Sequence, residues 1–571
     1  MKPIKKLTTK ITLILASVLI ITAIFGFSSD KREFEIIKQL KIFQAIVSEL
    51  NTYYVDEPDI KKTIEAGING MLASLDPYTN YIREEDMEDF KFMTTGEYGG
   101  VGSIISMSDT CYIMTREIYK GLPADKAGFI PGDYIIEING KDAKNMKVSD
   151  VSNELRGTPG TPAKVKVWRR TTDEILNLTA IREKIQINPV TYYGMADSET
   201  GYIVLSNFTE DCSDKVMQAF IDLKTNHNAK KLILDLRGNP GGLLDEALNI
   251  VNMFVPKGSA LLSTKGRLRA YDKTFRAHRD PIDTEIPLVV LISRSSASAS
   301  EIVAGALQDL DRAIIIGQRS FGKGLVQGTR EISYNNGLKL TTAKYYTPSG
   351  RCIQALDYSH RDKDGAVGFV PDSLISEFKT LNGRSVFDGG GVSPDIMIKL
   401  DEMSTITYSL IINDIIFRYA VDYRGKHKSI ADPKNFTLTD EDYNKFCEFV
   451  KNQKDFTYKS RTDEVFKKLK EVAVKEKNYE QNKEFFAAME NKLKPNLERD
   501  LKNNRKEIQE AIESEILTSY YYQQGPYPKS IMNDNSIKEA ISTLNDSNRY
   551  KGLLDGSIAS HAGDKRTANS K

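Results

Sequence analysis

Between positions 287 and 327 the chain reads PLVVLISRSSASASEIVAGALQDLDRAIIIGQRSFGKGLVQ, and this stretch holds the residue types of nucleophilic acyl chemistry. Five serines fall within 293–300, between an apolar β-type run at 287–292 and an amphipathic helical pattern at 301–309. A serine at a strand-to-helix turn exposes its hydroxyl beside free backbone N–H groups, which can stabilise a developing oxyanion. The serines compete for that place, and position alone does not choose among them. A second β run, 313–317, leads to Gly322-Lys323-Gly324. A lysine serves as general base only where burial disfavours its charged form. The flanking glycines and the preceding isoleucines allow close packing around Lys323. If the next segment is a strand, Lys323, Leu325 and Gln327 share one face, and Gln327 could hold the lysine amine. The competing reading is an exposed loop lysine, the common place for that residue type. The same segment nearly spells a phosphate-binding loop, but that motif needs Ser or Thr after the lysine and then a helix. Gly324 stands there instead, and 325–329 reads as strand.

A second candidate element is Asp235-Leu236-Arg237-Gly238-Asn239-Pro240-Gly241-Gly242, after a strand at 232–236 and before a helix reaching 251. Bare backbone at a helix start suits N–H donation to an oxyanion. The alternative is a tight turn that needs positive φ. Asp235 and Arg237 are placed to form an ion pair shaping the loop. The rival chemistry, a Ser-His-Asp triad, finds no support: His227, His278, His360, His427 and His561 lack a catalytic context, and His278 reads as a polar loop residue.

At these residues the chain resembles the carboxy-terminal processing protease family, also called tail-specific proteases, which are serine peptidases with a Ser–Lys pair. Ser296-Ala297-Ser298-Ala299-Ser300-Glu301 matches the family's nucleophile segment, and the nucleophile maps to Ser298. Phe321-Gly322-Lys323-Gly324 matches the lysine motif, with the accompanying glutamine at Gln327. The resemblance implies oxyanion donors at Gly241 or Gly242 and at Ala299. It also implies an α/β fold with a ClpP/crotonase-like peptidase core, flanked by a PDZ domain and additional helical N- and C-terminal regions. It runs from about Phe34 to Leu400.

The elements that must position this chemistry follow from the rest of the chain. Residues 31–91 read as an N-terminal helical region, with amphipathic helices at 33–54 and 60–75 stopped by Asp76-Pro77. Residues 92–184 resemble a PDZ domain. Tyr98, Gly99, Gly100, Val101 and Gly102 form its glycine-rich loop, and a strand at 103–107 carries Ile104. Backbone N–H groups of such a loop can converge on a carboxylate, and the strand edge can pair with an extended peptide. A helix at 147–155 would form the other wall. Residues 185–400 alternate strands with helices, as an α/β peptidase core does.

The 571 residues suggest three or four domains. With 79 basic and 78 acidic residues the formal charge is +1, which indicates no nucleic-acid partner. Lys2, Lys5, Lys6 and Lys10 precede an apolar run at 11–27, so residues 1–30 read as an export signal or a membrane anchor. Either places the remainder in the periplasm or on the outer face of the cytoplasmic membrane. Cys111, Cys212, Cys352 and Cys447 form no C-x-x-C pair, so neither metal nor cofactor is expected; they read as small core residues, with a disulfide as the alternative in an exported protein. Residues 401–548 carry helical periodicity and read as a helical domain that packs on the protease or mediates self-association. Residues 549–571 read as a disordered tail. Taken together, these features predict an exported endopeptidase that binds protein C-termini. The alternatives are a non-catalytic tail-binding adaptor and a small-molecule acyl hydrolase on the same core.

Overall fold

The computed structural model describes residues 31–108, 110–362, 364–399, 402–453 and 456–563. The apolar run at 11–27 and the last eight residues lie outside them. Two compact units divide the chain, Met1–Glu84 with Gln327–Thr341, and Glu85–Val326 with Thr342–Lys571. In the first, a helix at 31–53 precedes the helix Ile60–Ala73. Asp76 then accepts hydrogen bonds from the N–H groups of Tyr78 and Thr79 and turns the chain into the short strand Asn80–Ile82. That strand pairs antiparallel with residues 337–339.

In the second unit the catalytic region is a six-stranded sheet. Its order is Val190–Met195, Thr200–Leu205, Lys231–Asp235, Leu288–Ile292, Ile314–Gly317 and Ile396–Met397. The first pair is antiparallel and every later pair is parallel. The central strands are continuous apolar runs because both faces are buried. On one face Ile203, Leu232, Leu234, Leu288, Val290 and Ile315 pack against the helices Cys212–Thr225, Leu244–Asn252 and Ala299–Asp309. The alternate residues, Tyr202, Val204, Ile233, Val289, Leu291, Ile314 and Ile316, line the other face. That face is covered by the end of the chain, through Ile531, Ile537, Ala540, Leu544, Tyr550 and Leu553.

This packing corrects the expectation of a disordered segment from position 549. Ser547–Asp555 is a helix, and the Tyr550 hydroxyl accepts from the Leu288 N–H at 2.9 Å. Its few apolar residues are spaced to land on the sheet, which composition alone did not reveal. Upstream, a separate helical cluster gathers around Leu410, Tyr419, Phe446, Ile508, Ile512 and Ile516. The helical periodicity expected over 401–548 is interrupted. Asp414 adopts φ 55° between the helices Thr405–Ile412 and Ile415–Lys426, and residues 483–521 divide into Lys483–Leu493, Leu497–Asn503 and Arg505–Tyr521.

The region read as a PDZ domain is a second six-stranded sheet, around a core that includes Ile113, Ile135, Val151 and Val165. The strand Ser103–Met107 lies at its edge. The helical region grips this sheet. Arg116 pairs with Asp414 and Glu515 and lies over the Phe417 ring, and Tyr522 donates to Asp125. Among the described residues no helix is long and apolar enough to cross a membrane. All four cysteines are free.

The covering of the second sheet face is testable. Leu544→Ala should destabilise the protein by about 2–5 kcal/mol, the range for deleting a buried leucine. Urea unfolding that matches the unsubstituted protein would contradict this packing.

Candidate active site

Adjacent parallel strands end in the two loops that carry the candidate pair. Leu288–Ile292 runs into the serine turn, and Ile314–Gly317 runs into the loop holding Lys323. Ligands of parallel sheets bind beyond such carboxyl ends. The serines of this turn differ in their hydrogen bonds. Ser296 and Ser300 are buried, and their hydroxyls donate to the carbonyls of Leu236 and Asn239 at 2.8 and 2.9 Å. Ser293 Oγ accepts from the N–H groups of Gly238 and Ser295. Ser298 stands at the N-cap of the helix Ala299–Asp309, partly exposed, with φ 54° and ψ −112°. A non-glycine residue held there costs about 1–3 kcal/mol, and such strain gathers at functional sites.

Both loops are held by one carboxylate, that of Glu301, whose residue is fully buried. Its Oε2 accepts from the N–H groups of Ser298 and Lys323 at 2.8 and 2.9 Å. Its Oε1 accepts from Ser320 Oγ at 2.5 Å and from the Gly322 N–H at 2.7 Å. Burial pushes the carboxyl up to about 7, against the lowering effect of these four hydrogen bonds. Two further contacts tighten the arrangement. The Phe321 N–H donates to the Ser296 carbonyl at 3.0 Å. The Tyr345 hydroxyl reaches the carbonyls of both Ser298 and Lys323, at 3.2 and 2.5 Å. Gly322 has φ 91°, and a Cβ there would lie 2.4 Å from the Cβ of Ala355, so only glycine fits.

Lys323 is half-buried and precedes the strand Leu325–Glu331, which excludes the phosphate-loop helix. Gln327 belongs to the other unit, where its amide donates to Thr341 Oγ1 at 3.2 Å.

The glycine loop abuts the serine turn. A Cβ on Gly241 would lie 2.8 Å from Ser298 Cβ and 3.0 Å from the Ala299 nitrogen. The Ala297 N–H donates to the Asn239 carbonyl. The two glycines expected as alternatives differ: Gly241 spends its N–H on Asn239 Oδ1 at 2.8 Å. The Gly242 and Ala299 N–H groups make no hydrogen bond among the described residues. The expected ion pair is present. Asp235 accepts from Nε and Nη2 of Arg237 and from the Tyr202 hydroxyl.

In the peptide-binding region the four-donor nest expected from Gly99 to Gly102 is narrower. Residues 97–100 form a strand paired with Glu183–Gln186. The Ile187 N–H donates to the Gly96 carbonyl, so ladder alternation makes Gly100–Glu183 a hydrogen-bonded pair and commits the Gly100 N–H. The Gly99 carbonyl accepts from Gly157. Val101 is buried in the domain core, and the Tyr98 ring packs edge-on to Phe92 beneath Arg156. Gly102, with φ 75°, is buried against Leu122 and leads into the edge strand, where Ile104 is 40% exposed.

Motif patterns in the sequence do not single out Glu301 or Tyr345 as site residues. For Glu301 a signal existed, because Ser298-x-x-Glu301 has the spacing of a helix capping box. Tyr345 arrives from the distant strand Gly337–Tyr346, opposite Thr264.

Family models match at three places: peptidase family S41 over residues 199–359, a PDZ domain over 114–169, and the "Probable PDZ-protease, C-terminal helical domain" over 406–544. The expectation that family likeness fades near Leu400 is thereby corrected. A carboxy-terminal-processing protease of Bartonella bacilliformis is 39% identical over 343 residues, covering 60% of this chain and 76% of the relative. A probable CtpA-like serine protease of Staphylococcus aureus is 31% identical, covering 70% and 79%. The carboxy-terminal processing protease CtpA of Bacillus subtilis is 30% identical, covering 64% and 76%. An α/β core of this kind joined to a PDZ domain defines a serine-type peptidase. The chain belongs to the carboxy-terminal-processing protease family.

The Glu301 carboxyl gives a pH signature. Its folded value is raised, so between pH 4.5 and about 7 the folded protein keeps a proton that the unfolded chain has lost. This contribution to stability is complete below pH 4.5 and is lost as pH rises through 7, a change of about 3 kcal/mol at 1.36 kcal/mol per unit. Unfolding free energies of the unsubstituted protein and Glu301→Gln, compared across that range, should diverge by this amount. A constant difference would refute the assignment.

Proposed function

We propose that this chain is an exported endopeptidase that binds protein C-termini in its PDZ groove and cuts upstream of the bound tail with Ser298 and Lys323. The observation that carries this reading is the Glu301 carboxylate, which accepts from the backbone of both residues. Lys323 takes the proton from the Ser298 hydroxyl as the oxygen attacks the scissile carbonyl, and then passes it to the leaving amine. The N–H groups of Gly242 and Ala299 receive the oxyanion. Water hydrolyses the acyl-enzyme by the same route in reverse order. The Ser–Lys pair needs no cofactor. The basic residues before position 11 and the apolar run after them support export, with the N-terminal segment as signal or anchor. The helical region offers surface for a second copy or a regulatory partner.

Ser298→Ala and Lys323→Ala should each abolish peptide cleavage without unfolding the protein. The double substitution should be no worse than either, because both residues act in one step. Lys323→Arg should fail as well, since a guanidinium does not give up its proton. Substantial turnover by Lys323→Ala, followed by mass spectrometry of the products, would exclude the lysine as base.

Tail recognition has its own test. The carboxylate is read by backbone N–H groups at the Gly102 end of the loop, and the terminal residues lie along Ser103–Met107. Amidating the C-terminus of a peptide removes a charged acceptor worth about 1.5–3 kcal/mol, or roughly 10- to 150-fold in kcat/KM. Equal kcat/KM for the free and amidated peptides would rule out reading of the terminus.

A further inference from the structure

We propose that Asp534, in the C-terminal helical region, is a positioning residue for the peptidase reaction, acting through Arg237 on the glycine loop. This inference rests on the roles given above to Ser298 and Gly242. Arg237 stands at the entrance of that loop. Its backbone N–H donates to Asp235 Oδ1 at 2.9 Å, and its Nε and Nη2 hold the same carboxylate. The remaining end of the guanidinium, Nη1, donates to Asp534 Oδ2 at 2.6 Å, across 297 positions of sequence. The side chains of Arg237 and Asp534 are both about one-quarter exposed. A planar guanidinium held at both ends by carboxylates has a fixed orientation.

The two oxygens of Asp534 do different work. Oδ2 takes the guanidinium, while Oδ1 accepts from the N–H groups of Ser536 and Ile537 and caps the helix Asn535–Asn545. That helix lies on the sheet face through Ile537, Ala540 and Leu544. Tyr527, at the start of the preceding helix Tyr527–Asn533, stacks on Tyr192 of the edge strand with ring centroids 5.0 Å apart. The carboxylate therefore ties a docked helix to the residue from which the loop Gly238–Gly242 departs. The loop in turn contacts the serine turn through Gly238 to Ser293 and Ala297 to Asn239. Without the charge on Asp534, Nη1 loses its partner and the guanidinium can rotate about the Asp235 contact. A small displacement of the loop would then weaken the transition state more than substrate binding, because the donor must meet the oxyanion and not the ground-state carbonyl.

Two substitutions separate the two oxygens' jobs. Asp534→Asn keeps a good N-cap and removes the charge, whereas Asp534→Glu keeps the charge and weakens the cap. Both are assayed in the full chain with one tail-bearing peptide, alongside thermal unfolding. The expected result is a kcat lower by roughly 10- to 100-fold for Asp534→Asn, with KM and Tm near the unsubstituted values. Asp534→Glu should lose a few degrees of Tm, on the order of the loss of a cap, and keep most of its kcat. The proposal is overturned if kcat follows Tm, with the Glu variant slower than the Asn variant, or if Asp534→Asn turns over at the full rate. A Ser298→Ala protein that still cleaves the peptide would instead sink the reading of the active site on which the inference stands.

Discussion

A carboxylate withdrawn entirely from water holds the catalytic region together. Glu301 sits in the first turn of the helix behind Ser298, and it binds the backbone of two loops that leave neighbouring strands. Burying a carboxylate is costly unless donors surround it. Here four donors converge, and burial still outweighs them, since the group is raised to about 7. The loops have little alternative arrangement: moving either one strips a desolvated charge of its partners. The unfavourable φ of Ser298 is sustained by that constraint, because the Ser298 N–H is itself one of the four donors.

The sheet that delivers those loops is two-sided, and its second face is finished only at the far end of the chain. The strand residues facing one way meet helices that lie between them in sequence. Those facing the other way meet residues 531–553. The peptidase region is therefore not closed at residue 400. Its last layer belongs to the C-terminal region, and polar contacts reinforce the apolar ones: the ion pair of Arg237 with Asp534 and the hydrogen bond from the Leu288 N–H to the Tyr550 hydroxyl.

The same C-terminal region also fixes the PDZ domain. Val421 fills the space beside Gly132, Phe417 and Val421 cover Met114 and Tyr134, and Arg116 joins Asp414 and Glu515. Burial raises the Glu515 carboxyl, with Arg116 opposing. These contacts take hold of the strands behind the edge strand Ser103–Met107, so that edge keeps its unpaired backbone for an extended peptide. One helical region thus touches both the PDZ sheet and the sheet of the peptidase core.

Much of this was legible in the residues. Apolar runs of four to six residues alternating with helical periods set the parallel sheet, because strands buried on both faces must be apolar throughout. The serine turn, the Gly322-Lys323-Gly324 loop and the Asp235–Gly242 loop were each visible as local patterns, since turns and caps depend on neighbours in the chain. The pairing of Asp235 with Arg237, two positions apart, was local in the same way. What needed the tertiary structure were partners far apart in sequence. That Ser296 and Ser300 are tied down depended on carbonyls of a different strand loop. That the Gly241 N–H is already taken depended on where the Asn239 side chain points. The phase of the ladder at Gly100 depended on residues 183–187. The segment after 549 looked too polar to fold, yet two of its residues, Tyr550 and Leu553, complete a core that the other strands had already built. Composition reports how much apolar surface a segment carries. Only the assembled sheet shows whether a complementary surface is waiting for it, and that difference decides whether a short polar helix is ordered.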